Sequence, residues 1–194
     1  LNLKPEDISD TILFVGDQDR VEKITKHFDT IEFSTQKREF KTQTGTYKGK
    51  RISVISTGIG PDNIDIVLNE LDALINIDFT TRTIKEKLNS LNIIRIGTSG
   101  SLQSDIPVDS FLIGTHGLDL NGMLHFYKLK DICNHEIENA FMKHTHWNSN
   151  KARPIVISNS LELERIFESK QTYKGVTGTA GGFYGPQGRV LRLA

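Results

Sequence analysis

The chain has 194 residues with 24 basic and 24 acidic side chains, so its formal net charge is zero. That balance argues against a nucleic-acid binder, which carries a basic excess, and the length suits one domain or most of a larger one. No apolar run is long enough to span a bilayer, and a lone cysteine, Cys133, excludes an internal disulfide and fits a reducing, cytoplasmic setting.

Residues 1–7 are polar and broken by Pro5, unlike a secretory signal. Residues 10–15 form the first β-branched and aromatic run, read as a strand, and end in Gly16-Asp17-Gln18-Asp19-Arg20. Val21, Ile24 and Phe28 then recur at helical spacing, with Asp17 or Asp19 as the cap. Gly16 would let a ligand approach the backbone and Arg20 could reach an anion; an ordinary strand–turn–helix corner explains the same residues. Neither common phosphate fingerprint occurs here. Residues 37–50 read as an antiparallel meander turning at Lys48-Gly49-Lys50, and 51–56 as its returning strand, which ends in the glycine loop Thr57-Gly58-Ile59-Gly60. A helix is expected over 64–74, with Ile64, Val67, Leu68 and Leu71 on its apolar face and Asp62 or Asn63 as cap. Residues 75–90 are polar and expected at the surface.

The run 93–96 reads as a buried strand. It ends in an arginine and small residues, Arg95-Ile96-Gly97-Thr98-Ser99-Gly100-Ser101. A guanidinium, hydroxyls and close-approaching backbone suit an oxyanion such as phosphate; a plain Gly/Ser turn is the bland alternative. Strands follow at 110–116 and 152–158, one helix or two short ones at 135–147, and a helix at 160–167 with Leu161, Leu163 and Ile166 as its apolar positions. A glycine-rich strand at 173–182 opens onto Phe183-Tyr184-Gly185-Pro186-Gln187-Gly188-Arg189. His144 and His146 lie two apart, so they face different directions on a helix and read as surface residues. His125 reads as packing and Cys133 as an unreactive thiol. No metal-ligand spacing appears. Strands alternating with helices, plus the early meander, predict an α/β fold: three layers, αβα, around a mixed central sheet, with ligands at the strand ends.

Two chemically distinct sets emerge. Gly16, Arg20, Arg38, Arg95, Gly97 and Thr98 suit an anion. Phe183, Gln187 and Arg189 offer a ring, an amide and a guanidinium for a planar heterocycle with alternating carbonyl and N–H groups. Together they suggest phosphorolysis of a nucleoside. On the segments 15–24, Arg38-Glu39-Phe40, Ser56-Thr57-Gly58-Ile59-Gly60, Arg95-Ile96-Gly97-Thr98-Ser99-Gly100 and 183–189, taken in order, the chain resembles the nucleoside phosphorylase superfamily and, within it, the uridine phosphorylases.

The resemblance implies cleavage of uridine by phosphate, with Gly16, Arg20, Arg95, Ile96, Gly97 and Thr98 holding phosphate. It implies that Arg38 reaches into a neighbouring subunit's site. Thr98, Ser99, Gly100 and Gly188 would line the nucleoside, Phe183 would pack on uracil, and Gln187 and Arg189 would hydrogen-bond it. Arg95, Gln187 and Arg189 would carry the catalysis. The Gln-x-Arg ending favours uracil over purines. Inorganic phosphate would be a co-substrate and no cofactor is implied. In the family Glu39 lies near a monovalent-cation site, but the matching later position is Asn63, so no ion is assigned. The family's acidic ribose-binding stretch would fall past residue 194 and a partner's histidine before Leu1, so a single domain incomplete at both ends is expected. The stretch 78–90 resembles an insertion of dimeric members and favours a homodimer over a hexamer. Alternatives are a purine nucleoside phosphorylase, a nucleosidase using water, or a non-catalytic truncated member that binds nucleosides.

Overall fold

The computed structural model describes residues 1–169 and 171–193. They fall into two compact units, residues 1–98 and residues from 99 onward.

The first unit contains β1 (Thr11–Val15), α1 (Gln18–Thr25), β2 (Thr30–Lys37), β3 (Phe40–Tyr47), β4 (Lys50–Ser56), α2 (Pro61–Asn76), the short β5 (Ile77–Asp78) and β6 (Thr83–Ile84), and β7 (Asn92–Arg95). Its main sheet runs in the order β2-β3-β4-β1-β7. β1 pairs in parallel with β4 and β7, while β2, β3 and β4 form an antiparallel meander. The mixed sheet expected from the sequence is therefore present. Side-chain alternation along the strands supplies the layers. Ile12 and Phe14 of β1 and Ile55 of β4 face α2, where Val67, Leu71 and Leu74 complete a core. Val15 and Val54 point to the other face and meet Val21 of α1, with Leu13, Ile24 and Phe28 around them. One helix thus covers each face of the sheet, three layers in this unit.

Several local expectations change. The meander has three strands rather than two, because β2 begins at Thr30, ahead of the expected start at residue 37, with Ile31, Phe33 and Thr35 alternating along it. α1 starts at Gln18, capped by Asp17, whose side chain accepts from the Asp19 N–H at 3.0 Å. α2 starts at Pro61, with Gly60 as cap and neither Asp62 nor Asn63 in that place. Proline at the first helical position needs no N–H, so the helix begins earlier than its polar residues suggest. Its buried stripe is Val67, Leu71 and Leu74, with Leu68 exposed, because the sheet meets the helix about one residue further round. β7 is an edge strand within this unit and only half-buried, not fully buried as its apolar run implied.

The second unit contains β8 (Phe111–Asp119), α3 (His135–His144), β9 (Ile155–Ser158), α4 (Leu161–Phe167) and β10 (Thr172–Thr179). The sheet order is β10-β8-β9, with β8 parallel to β10 and antiparallel to β9. The parallel pair needs a crossover, which α3, β9 and α4 provide. Asn134 caps α3 and Ser160 caps α4. Leu161 and Ile166 of α4 are exposed, contrary to their apolar spacing. His144 and His146 lie at the surface, as expected. Cys133 is half-buried and its thiol donates to the Leu129 carbonyl at 3.3 Å.

α3 is tied to β9 through one buried carboxylate. Glu138 is 1% exposed. It accepts the Val156 N–H at 3.1 Å, His135 Nδ1–H at 2.8 Å and, more distantly, Arg153 Nη2 at 3.4 Å. Burial alone would push this carboxyl up, but the His135 and Val156 hydrogen bonds, the His135 charge and Arg153 hold it below the usual range.

Two outcomes follow from this packing. Leu71→Ala, at a fully buried position, lowers the stability of the first unit by about 2–5 kcal/mol in urea unfolding. Glu138 has a depressed folded pKa, so its contribution is complete above the ordinary carboxylate value, about 4.3, and is lost as pH falls through the folded value. Urea unfolding followed from about pH 7 to pH 3 shows this decline, and Glu138→Gln flattens it.

Candidate functional site

In the first unit the parallel strands end together. The Phe14 carbonyl accepts the Ile96 N–H at 2.8 Å, and the next carbonyl, Val15, accepts the Thr57 N–H at 2.8 Å. The loops after β1, β4 and β7 therefore leave from one edge, the carboxyl end of the strands, where ligands of α/β sheets bind. Arg95, opposite Phe14 in the pairing, closes its guanidinium over its own loop. A β-carbon on Gly97 would collide with Nη1, and one on Gly16 would lie 3.9 Å from Nη2. Glycine at 97 thus leaves room for the guanidinium to stand between the two loops. Arg20 sits on the first turn of α1, half-buried, three residues beyond the capping Asp17. The Ile96 amide is committed to β1, and its side chain is 45% exposed.

Arg38 lies at the tip of the β2–β3 hairpin, between the paired Lys37 and Phe40. Its carbonyl accepts Gln18 Nε2 at 2.8 Å, so the tip is fastened two residues beyond Gly16. On its other side the Glu39 carbonyl accepts Ser56 Oγ at 2.6 Å. Gly58 has φ +73, and a β-carbon there would fall 2.6 Å from Asn63 Nδ2 and 2.7 Å from Glu39 Cγ. Only glycine fits that turn. Gln18 and Ser56 were not singled out from the sequence, since their partners lie 20 and 17 positions away.

In the second unit Phe183, Gln187, Gly188 and Arg189 come together. A short 3-10 turn, Gly185–Gln187, followed by Gly188 at φ +69, bends the chain so that the Arg189 N–H reaches the Tyr184 carbonyl at 2.9 Å. The Arg189 guanidinium then stands 4.3 Å above the Phe183 ring centroid. Its Nη1 donates to the Phe183 carbonyl at 2.9 Å and to Gln187 Oε1. Gln187 Nε2 donates to the Gly182 carbonyl at 3.1 Å. Beyond these bonds the amide keeps a second donor hydrogen and a second acceptor lone pair in its plane. The loop is backed by Asn121, whose Cβ lies 3.3 Å from where a β-carbon of Gly181 would be. Asn121 in turn is fixed by the buried Asp119, which accepts the Asn121 N–H at 2.9 Å. Thr98 closes the first unit and Ser99 and Gly100 open the second; all three are in exposed, irregular chain.

A separate open cleft of about 620 Å³ in the second unit is lined by residues that include Lys128, Cys133, His135, Glu138 and Arg153. None belongs to either set above. His125 borders it and, contrary to the packing role expected from the sequence, is exposed like its neighbour Phe126, with a ring nitrogen paired to the Arg153 carbonyl at 2.9 Å. Among the described residues no group of three or more His, Cys, Asp and Glu side chains could hold a metal ion, and no helix is long and apolar enough to cross a membrane.

Residues 10–194 match the family model of the phosphorylase superfamily, and the chain belongs to that superfamily. It is 30% identical over 194 residues to a uridine phosphorylase of Haemophilus influenzae, covering 97% of this chain and 64% of the relative. It is 35% identical over 133 residues to a DeoD-type purine nucleoside phosphorylase of Clostridium novyi, covering 63% of this chain and 51% of that one. The chain thus spans between half and two-thirds of these relatives' lengths. A nucleoside phosphorylase of Trypanosoma brucei whose crystal structure shows uridine phosphorylase activity superposes with a TM-score of 0.83 at 29% identity, over 99% of this chain and 69% of that one. The α/β fold with its mixed sheet is that of this neighbour.

Gly97→Ala tests the arginine loop. The new methyl group displaces the flexible Arg95 side chain rather than backbone, so the thermal midpoint moves by less than about 2 °C. Were phosphate held by Arg95, its affinity measured by calorimetry would fall about tenfold, as expected for losing one charge-assisted contact.

Proposed function

We propose that this member of the phosphorylase superfamily cleaves a pyrimidine nucleoside by phosphorolysis, converting uridine and phosphate into uracil and ribose 1-phosphate in nucleoside salvage. The observation that carries the reading is the Gln187–Arg189 pair, amide bonded to guanidinium beside the Phe183 ring. An amide that both donates and accepts in one plane matches a pyrimidine edge, and an adjacent cation matches the charge that edge acquires as it leaves.

In this reading the phosphate binds at the shared strand edge, against Arg95 and Arg20 and the backbone of Gly16, Gly97 and Thr98, while Ile96, whose amide is taken by the Phe14 carbonyl, fixes the start of that loop. Arg38 supplies a further contact to the site of a second copy, which makes the working unit a homodimer. Thr98, Ser99, Gly100 and Gly188 line the nucleoside, with Phe183 packed on the base. A phosphate oxygen forms the new bond to ribose C1′ while the bond from C1′ to uracil N1 breaks. That electron pair passes into the uracil ring, where Arg189 and Gln187 stabilise it until a proton is taken up. Arg95 and its neighbours hold the nucleophile in line. The chemistry needs no covalent enzyme intermediate and no cofactor besides phosphate as co-substrate, and it suits the cytoplasm, where both substrates are found.

The match to DeoD-type purine enzymes favours a second reading, a purine nucleoside substrate. Parallel assays with uridine and inosine, each with and without phosphate, separate the two and separate both from a water-using nucleosidase. Arg189→Ala is expected to lower turnover of uridine by at least about tenfold, within the range of 10²–10³ known for losing one charge-directed donor, with an unchanged circular dichroism spectrum. Near-normal turnover by a folded variant would sink the assignment.

A further inference from the structure

Arg38 occupies backbone that its residue type disfavours. Its φ is +55, in the left-handed region, where a non-glycine residue is uncommon and costs of the order of the strain stored at functional turns. Glycine or asparagine would make the same two-residue hairpin turn more readily. An arginine kept there is a choice for the side chain, and something must hold the backbone beneath it.

The structure provides that hold in a short chain of amides. Gln36 Nε2 donates to Gln18 Oε1 at 2.7 Å, and Gln18 Nε2 donates to the Arg38 carbonyl at 2.8 Å. Gln36 Nε2 also approaches that carbonyl, at 3.5 Å. Gln18 is the first residue of α1, directly after Asp17, which caps that helix. Both ends of its side chain are therefore used, and its backbone belongs to the loop that carries Gly16 and Arg20. From the opposite side Ser56 Oγ bonds the next carbonyl, that of Glu39. Two successive peptides, Arg38–Glu39 and Glu39–Phe40, are thus held, the first from the start of α1 and the second from the end of β4.

We propose that Gln18 is a positioning residue for phosphate binding: it fastens the strained Arg38 turn to the Gly16–Arg20 loop and so fixes where the Arg38 guanidinium is presented. Gln18 acts through Arg38 and does not itself touch substrate. The proposal rests on Arg38 being a phosphate contact. It differs from a general stabilising role because its effect falls on phosphate alone and disappears once Arg38 is gone.

The test is a double-mutant cycle in the full natural chain. Gln18→Met keeps the side chain's size and a good helix former while removing both amide bonds. Phosphate dissociation constants come from calorimetry and KM values for phosphate and for uridine from kinetics. Gln18→Met is expected to raise the phosphate constants about three- to tenfold, the worth of one lost hydrogen bond, with KM for uridine unchanged. Arg38→Ala raises them at least as far, and adding Gln18→Met to it causes no further loss. Gln36→Met, which leaves α1 untouched, gives a smaller loss of the same kind. If Arg38→Ala leaves phosphate binding intact, or the parent chain binds no phosphate, the reading of the site fails and this inference with it. If Arg38→Ala weakens phosphate but Gln18→Met and Gln36→Met do not, or if the losses at 18 and 38 simply add, Gln18 has no positioning role and the reading of Arg38 stands.

Discussion

Two successive carbonyls at the end of β1 hold the first unit's candidate site in place. Phe14 takes the amide that begins the Ile96–Gly97 loop, and Val15 takes the amide that begins the Thr57–Gly58 loop. Because β1 lies between β4 and β7 and runs parallel to both, its last two residues set where three separate glycine loops emerge. Parallel pairing is what makes such an edge: every strand delivers its carboxyl end, and so its loop, to the same side. The packing on either face protects that register. Ile12 and Phe14 are locked against α2, and Val15 against Val21 of α1, so a slip of one residue would turn the core side chains to the wrong faces.

The arginines around this edge are placed by different means. Arg95 is carried by the strand pairing itself, and glycine at 97 makes room for its guanidinium. Arg20 rides on a helix that an aspartate caps. Arg38 sits on a hairpin tip whose backbone is unfavourable and is bonded from two neighbouring elements. A strand, a helix and a turn thus each set the backbone of one arginine, through backbone or amide hydrogen bonds.

The second unit solves another problem. Its base-binding candidates are neighbours in sequence, and a tight turn folds them onto one another, the guanidinium over the ring and bonded to the amide. The acids of this unit are used structurally. Asp119 is buried to fix the turn that backs the 181–189 loop, and Glu138 to tie α3 to β9. The chain belongs to the phosphorylase superfamily, and it is similar both to a uridine phosphorylase and to a purine nucleoside phosphorylase.

The residues themselves determined most strands, a helix from residue 135 (expected to reach 147, though it ends at His144), the glycine loops at strand ends and the mixed character of the sheet, because period-2 and period-3.6 patterns and turn residues act over a few positions. They also determined the cluster at 183–189, whose members interact over at most six positions. The ordered motifs marked the family. Tertiary structure decided the rest. β2 carries only a short alternation, Ile31, Phe33 and Thr35, and its pairing with β3 makes it a strand. Leu74 rather than Leu68 is buried because of where the sheet meets α2. β7, apolar enough for a fully buried strand, is an edge because its unit pairs it on one side alone. Gln18 and Ser56 hold the Arg38 turn across 20 and 17 positions. Hydrogen bonds of that reach leave no period in a sequence: they depend on which surfaces the packed elements bring together, and only the folded chain settles that.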